Sequence, residues 1–376
     1  MKIILIGNYA EFLLGFRGVL LSDFVNAGHE VAVCVPGADP GIVEKLMAMG
    51  VEYYPIELER TGMNPYKDLK FFFQLKSHLS KIRPDIVLSY TIKPVIYGSL
   101  AAWLCGIKQI YSMITGLGYA FVGNTWEQNV VHIVVRFLYR LSLMANRAVF
   151  FQNPDDLALF ADLGLISLKK QAVLINGSGV DLDYYDQMPP VSSPPTFLLI
   201  ARLLKDKGII EYVEAAKILK KKYSQVVFRL VGPFYNSPAA INRLTVETWQ
   251  GVGVIEYLGE TKDVRPYIAD SSVYVLPSYR EGTPRTVLEA MSMGRPIVTT
   301  DAPGCRETVI EGENGFKVPV KDAGALAIAM ERFILQPELI EKMGRRSREI
   351  AAQKYDVKKV NTVIMKTMGL LNEEIV

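Results

Sequence analysis

An alternation of two patterns constrains this chain more than anything else in it. Short apolar runs, each the length of a buried strand, are followed by stretches with helical apolar spacing, and the cycle repeats along the sequence. Ile3–Ile6 reads as a first strand, residues 7–15 as a loop, Phe16–Ala27 as a helix, and Glu30–Val35 as a second strand. The rhythm continues through strands at Asp85–Ser89, Gln109–Met113, Ala148–Gln152 and Ala172–Ile175. It breaks at QMPPVSSPP, residues 187–195, where proline and serine cluster as in a linker. It resumes at Thr196–Ile200 and runs to two helices near Ala323–Leu335 and Glu338–Tyr355. Strands alternating with helices predict mostly parallel, doubly wound sheets. The expectation is α/β: two Rossmann-like domains, 1–186 and 196–355, facing a central cleft. A last helix, 356–376, is expected to cross back to the first domain. At 376 residues the chain exceeds the usual size of one core, which agrees with two.

Within the second half, VYVLPSYREGTPRTVLEA (273–290) is a strand, a glycine-containing loop and a helix in that order. Ligands of open α/β sheets sit beyond the carboxyl ends of strands, at such loops. A helix N-terminus there offers N–H groups and partial positive charge to an anion. Two carboxylates, Glu281 and Glu289, flank the start of that helix with seven residues between them. Carboxylates beside an anion site make sense where the ligand also carries hydroxyls, as a sugar nucleotide does. The plain alternative is two solvated acids. ARLLKDKG opens the second domain and sets Arg202 and Lys207 after a strand, ahead of a helix at Gly208. Such cations are suited to neutralise a departing diphosphate; a solvated basic turn is the other reading.

The first half holds looser candidates. Gly15 and Arg17 follow the first strand and its loop; a phosphate contact and a surface arginine are both open for Arg17. Lys93 precedes a helix whose first residue is Pro94. Thr115 and Gly116 follow another strand, where glycine lets backbone approach a ligand. The G-x-G-x-x-G dinucleotide fingerprint is missing, which disfavours NAD. Residues 66–83 and 133–147 mix aromatic and basic side chains, and Tyr119–Trp126 is an aromatic loop. Ordinary core stripes explain either helix alone; together they suggest an interfacial membrane face.

Charge and composition exclude other classes. A net charge of +3 is too mild for a nucleic-acid binder. Half the residues are hydrophobic, yet no uncharged run of about 18 apolar residues appears, so no spanning helix is expected. The apolar start is short and broken by Gly7, Asn8 and Glu11, and reads as a strand and loop rather than a signal peptide. Three cysteines and three histidines are scattered, without disulfide or metal spacing, as in a reducing cytoplasm.

The ordered set ARLLKDKG, PSYREGTPRTVLEAMSMGRPIV, GCRETV and NGF resembles glycosyltransferase family 4, retaining enzymes of the GT-B fold. FRGVLLSDFVNAGHEV, IKPVIYGSLAA and ITGLGYAF look like the subgroup acting on polyprenyl-diphosphate-linked sugars. The resemblance implies catalytic roles for Arg202, Lys207 and Glu281, the two cations on the donor diphosphate. It implies donor contacts at Gly282, Thr283, Pro284, Glu289 and Gly15, with Glu289 on the ribose hydroxyls. Arg17, Lys93, Thr115 and Gly116 become acceptor or phosphate candidates. Many family members have a histidine near the sugar where this chain reads Thr91-Ile92-Lys93, so Lys93 is assigned to the acceptor diphosphate. No Asp-x-Asp motif is present, and the resemblance implies no cofactor and no metal. The expected partners are a UDP-sugar, a polyprenyl-diphosphate-linked acceptor and, peripherally, the inner face of the plasma membrane; the expected localisation is cytoplasmic. The alternatives are a soluble transferase acting on a small sugar, a UDP-sugar epimerase of the same fold, and a non-catalytic sugar-nucleotide-binding module.

Overall fold

The computed structural model describes residues 1–59, 64–117, 126–168, 171–189, 191 and 194–371. Contacts divide the chain into two units, one of residues 1–178 together with the C-terminal stretch from Val360, the other Gly179–Lys359.

The first unit runs β1 (Lys2–Ile6), α1 (Ala10–Asn26), β2 (Glu30–Val35), α2 (Pro40–Ala48), β3 (Val51–Pro55), α3 (Pro65–Ile82), β4 (Ile86–Tyr90), α4 (Ser99–Leu104), β5 (Gln109–Ile114), α5 (Trp126–Met144), β6 (Ala148–Phe151), α6 (Pro154–Asp162) and β7 (Ala172–Leu174). The second runs β8 (Thr196–Ile200), α7 (Ile209–Lys220), β9 (Val227–Val231), α8 (Arg243–Gly251), β10 (Glu256–Tyr257), α9 (Arg265–Ala269), β11 (Val273–Leu276), α10 (Arg285–Ser292), β12 (Ile297–Thr300), β13 (Gly315–Val318), α11 (Ala323–Leu335) and α12 (Glu338–Ile350). Helix α13 (Val357–Thr367) closes the described chain.

The sheets are ordered β3-β2-β1-β4-β5-β6-β7 and β10-β9-β8-β11-β12-β13, parallel throughout. Parallel strands are covered on both faces, so they read as unbroken apolar runs; β8, β11 and β12 are buried at every residue. Local chemistry starts the helices. Asp39, Asn64 and Asn153 cap α2, α3 and α6 by accepting from backbone N–H groups, each followed by proline in the first turn.

Two sequence expectations shift. Helix α1 begins at Ala10, not Phe16, which leaves Gly15 inside a helix rather than in a loop. Nothing in residues 10–15 forbids a helix, and an interior glycine costs only about 1 kcal/mol. The division between units falls at Ser178 and Gly179, ahead of the 187–195 stretch. The reason is a set of bonds holding described residues between 180 and 191 to the second unit. Val180 N–H donates to Tyr355 carbonyl at 2.7 Å. Arg348 donates to the carbonyls of Leu182 and Tyr185, and the fully buried Arg295 donates to those of Met188 and Pro189. Ser272 Oγ donates to the Val191 carbonyl. In the first unit Val360, Ile364, Met365 and Met368 of the C-terminal stretch pack into the core with Leu13, Leu20 and Phe24 of α1, and Asn361 donates to Asp23 at 2.7 Å.

Candidate functional site

In the second sheet the chain leaves β8 toward β9 on one side and later returns to β11 on the other. Their carboxyl ends form the switch point where such sheets bind ligands. The loops after β8 and β11 meet there through backbone. Gly208, which precedes α7, has φ +70°, and a Cβ on it would lie 2.0 Å from the Pro277 carbonyl oxygen. Only glycine permits that approach. Tyr279 N–H donates to the Asp206 carbonyl at 2.9 Å.

Across this seam Lys207 Nζ donates to Glu281 Oε1 at 2.5 Å, with side chains only 12% and 17% exposed. Ser278 Oγ lies 2.8 Å from the same oxygen. The lysine is thus a preorganised donor on a short tether. Beneath the loop, Gly304 at φ +81° brings its backbone under Glu281 and Gly282; a Cβ there would meet their carbonyl oxygens at 2.2 and 2.6 Å. Glu281 N–H donates to Pro303 at 2.9 Å. Gly282, Thr283 and Pro284 are buried and lead into α10.

Glu289 sits one turn into α10, 5% exposed, accepting from Arg285 Nε at 2.8 Å. Burial raises its pKa; Arg285, and a hydrogen bond from Tyr185, oppose that shift. Arg202 is exposed, with its guanidinium 5.0 Å from the centre of the Tyr235 ring. The structure therefore brings Lys207, Glu281 and the 282–284 loop together, and sets Arg202 against the loop after β9. Ser278, Gly208, Gly304, Tyr185 and Arg285 were missed in the sequence reading. Gly304 carried a signal, since it opens the GCRETV run.

The first-unit candidates scatter. Arg17 is 3% exposed, not a surface residue and not at a helix start. Its guanidinium lies 5.8 Å from the Tyr90 ring centre and 2.7 Å from Met113 Sδ. Gly15 lies on the exposed side of α1. Lys93 Nζ donates to Asp68 Oδ1 at 2.6 Å, so its charge is already matched. Thr115 and Gly116 follow β5, Gly116 with φ +129°, and residues 118–125, including most of the aromatic loop, lie outside the described residues.

The expected aromatic face of α3 is split. Phe71 is a core residue at 1% exposed, while Phe73 is 56% exposed. Lys67 and Lys70 pair with Glu59 and Glu57. On α5, Ile133, Val134, Phe137, Leu141 and Met144 are all exposed, and Arg136 and Arg140 lie among them. No described helix is long and apolar enough to cross a membrane. Among the described residues no group of three or more His, Cys, Asp or Glu is placed to hold a metal ion.

The family model "Glycosyl transferase 4-like domain" matches residues 19–177, and "Glycosyl transferases group 1" matches 194–336. The chain is 27% identical, over 95% of both chains, to the N,N'-diacetylbacillosaminyl-diphospho-undecaprenol alpha-1,3-N-acetylgalactosaminyltransferase of Campylobacter jejuni. It is 23% identical to the UDP-Gal:alpha-D-GlcNAc-diphosphoundecaprenol alpha-1,3-galactosyltransferase of Escherichia coli, over 78% of this chain and 77% of that one. Among solved structures, Anabaena HepE in complex with UDP matches with a TM-score of 0.77 at 17% identity, covering 99% of this chain and 100% of that one. A glycosyltransferase from Rickettsia africae matches with a TM-score of 0.77 at 18% identity, covering 99% of both.

Proposed function

The chain belongs to the glycosyltransferases of the GT-B fold, and from that premise we propose that it moves a hexose or N-acetylhexosamine from a UDP-sugar to a saccharide carried on polyprenyl diphosphate. The observation that carries this reading is the near full-length similarity to a transferase whose name specifies a diphospho-undecaprenol sugar. A second relative, matched over most of its length, is named for UDP-galactose and a diphosphoundecaprenol sugar.

Transfer proceeds with retention. The bond from the anomeric carbon to the diphosphate breaks, a bond to the acceptor oxygen forms on the same face, and the acceptor proton passes to the departing diphosphate. This chemistry asks for charge stabilisation of the leaving group rather than a strong protein base. Lys207 and Arg202 supply it, each lowering the barrier by ~3–4 kcal/mol if the site is desolvated. Glu281 holds Lys207 and takes sugar hydroxyls; Glu289 takes the ribose hydroxyls; the 282–284 backbone lines the donor. On this reading transfer takes place on the cytoplasmic face of the plasma membrane, and the exposed apolar and arginine face of α5 supports peripheral contact with anionic lipid.

The test is a panel of UDP- and GDP-sugars against polyprenyl-diphosphate saccharides, read by mass spectrometry. The expected product is the lipid-linked acceptor heavier by one hexose or N-acetylhexosamine. Turnover of a UDP-sugar without acceptor, or transfer confined to soluble sugars, overturns the reading in favour of an epimerase or a soluble transferase.

A further inference from the structure

Strand β4 lies next to β1 at the switch point of the first sheet, where the chain has run out to β3 and returned. The turn that leaves its carboxyl end is unusual in three ways. Thr91 has φ +69°, a left-handed conformation that a β-branched residue rarely adopts. Among the described residues its buried Oγ1 has no hydrogen-bond partner, and neither does the buried Oγ of Ser89 near the end of β4. Residues Pro94–Gly98 then form a π-helical turn before α4, a feature frequent at functional sites. Strained backbone and stranded hydroxyls weaken a fold, so their presence at a sheet's binding edge calls for a functional reason.

The same turn carries Lys93. Its Nζ lies 2.6 Å from Asp68 Oδ1, the two side chains 15% and 12% exposed. Tyr97, inside the π-turn, donates to Asp68 Oδ2 at 3.3 Å. Burial, followed by Asp68 itself, raises the Tyr97 phenol to about 12, so it remains a donor at neutral pH. Asp68 is therefore fixed from one side by two donors, one on each oxygen. A carboxylate has about four acceptor positions, and two remain. The group as a whole is neutral, because Lys93 spends its charge on Asp68. That is a poor phosphate site and a good one for a neutral ligand rich in hydroxyls.

We propose that Asp68, held in place by Lys93 and Tyr97, is a specificity-determining residue that accepts hydroxyl hydrogens from the sugar ring of the acceptor. This rests on the acceptor reading above and replaces the assignment of Lys93 to the acceptor diphosphate. Lys93 and Tyr97 are positioning residues; Asp68 touches the sugar.

The test measures acceptor and donor KM separately, with the same saccharide offered on a diphosphate carrier and as a neutral glycoside. Asp68→Asn leaves the mostly buried Lys93 unmatched, so the Asp68→Asn/Lys93→Gln double variant is made beside it to avoid an orphan charge. Acceptor KM is expected to rise roughly tenfold or more in both variants, as for loss of a charged hydrogen bond. The rise is expected to be equal for the two acceptor forms, with donor KM within about twofold of wild type. A pair that merely pins the π-turn to α3 instead lowers the melting temperature and moves both KM values together, which overturns the proposal. So does an acceptor KM that stays at the wild-type value in the folded double variant. A rise confined to the diphosphate form returns Lys93 to phosphate and also overturns it. Wild-type protein that transfers to no saccharide overturns the acceptor reading as well, which separates the two failures.

Discussion

Each unit carries a mostly buried lysine–carboxylate pair at the carboxyl end of its sheet, and these two pairs have nearly the same geometry. Lys207 and Glu281 lie 2.5 Å apart, Lys93 and Asp68 2.6 Å, and all four side chains are mostly buried. Their settings differ. The first pair joins two loops across the switch point of the second sheet, on a seam that Gly208 and Gly304 allow to close. It has Arg202 on the same β8 loop as a further cation. The second pair joins the first turn of α3 to a strained turn after β4, and its only other partner among the described residues is the Tyr97 phenol. In the proposed reading the first takes anionic charge with hydroxyls attached, and the second, a neutral group, takes hydroxyls alone. If that reading holds, the same two functional groups at the same distance do different work because the surrounding charge differs.

That contrast is open to attack, most sharply at Lys207. Lys207→Ala is expected to cut kcat by ~100-fold or more, as for loss of one leaving-group donor; near-normal turnover in folded protein removes Lys207 from the chemistry. Gly208→Ala tests the seam. The left-handed backbone alone costs about 1–3 kcal/mol with a side chain, and contact with Pro277 adds to it, so the denaturant midpoint should fall clearly. The Asp68 variants come next, with the tenfold shift in acceptor KM already described. On α5, Arg136→Gln should weaken sedimentation with anionic vesicles by about fivefold, near 1 kcal/mol for one basic group, with neutral vesicles as the control.

The smallest effect is a pH dependence at Glu289. Its carboxylate, the form that takes two hydroxyl hydrogens, exists above its pKa, and burial raises that pKa. Donor KM should therefore begin to climb on acidification at a higher pH than an ordinary glutamate at ~4.3 would give. The increase is about twofold where half the population is protonated. Stability moves the other way. A raised folded-state pKa contributes stability below the unfolded value, and loses it as pH rises through the folded value. Melting temperatures recorded alongside KM then separate lost binding from unfolding, and Glu289→Gln should flatten the profile.

How much of this was visible in the sequence differs between the units. The second was legible because its parts are local: an apolar run, a glycine loop and a helix follow one another, and the two carboxylates stand one motif apart. The expected fold, two doubly wound α/β units, is borne out by the sheet orders and the structural neighbours. The first unit was misread where meaning depended on partners far along the chain. Arg17 was left open between a phosphate contact and a surface arginine, and burial against Tyr90 rules out the surface one. Residues 66–83 read as a mix of aromatic and basic side chains with an open choice between core stripe and surface face, and helical geometry gives both: Phe71 turns inward and Phe73 outward. Asp68 passed unnoticed among the lysines of an amphipathic helix, since nothing local marks its partner 25 residues on.

The sequence alone determined the period and punctuation of this protein: which runs become strands, which become helices, and where glycine and proline open the loops. Those are local properties of φ, ψ and apolar spacing. The opening alternation, and the strand–loop–helix at 273–290 within it, needed nothing more. Tertiary structure decided which charges are matched. Lys207 and Glu281 are 74 residues apart in the chain, and only the stacking of parallel strands brings them to 2.5 Å. A charge keeps its identity along the sequence, but what it is able to bind depends on the neighbours that folding supplies.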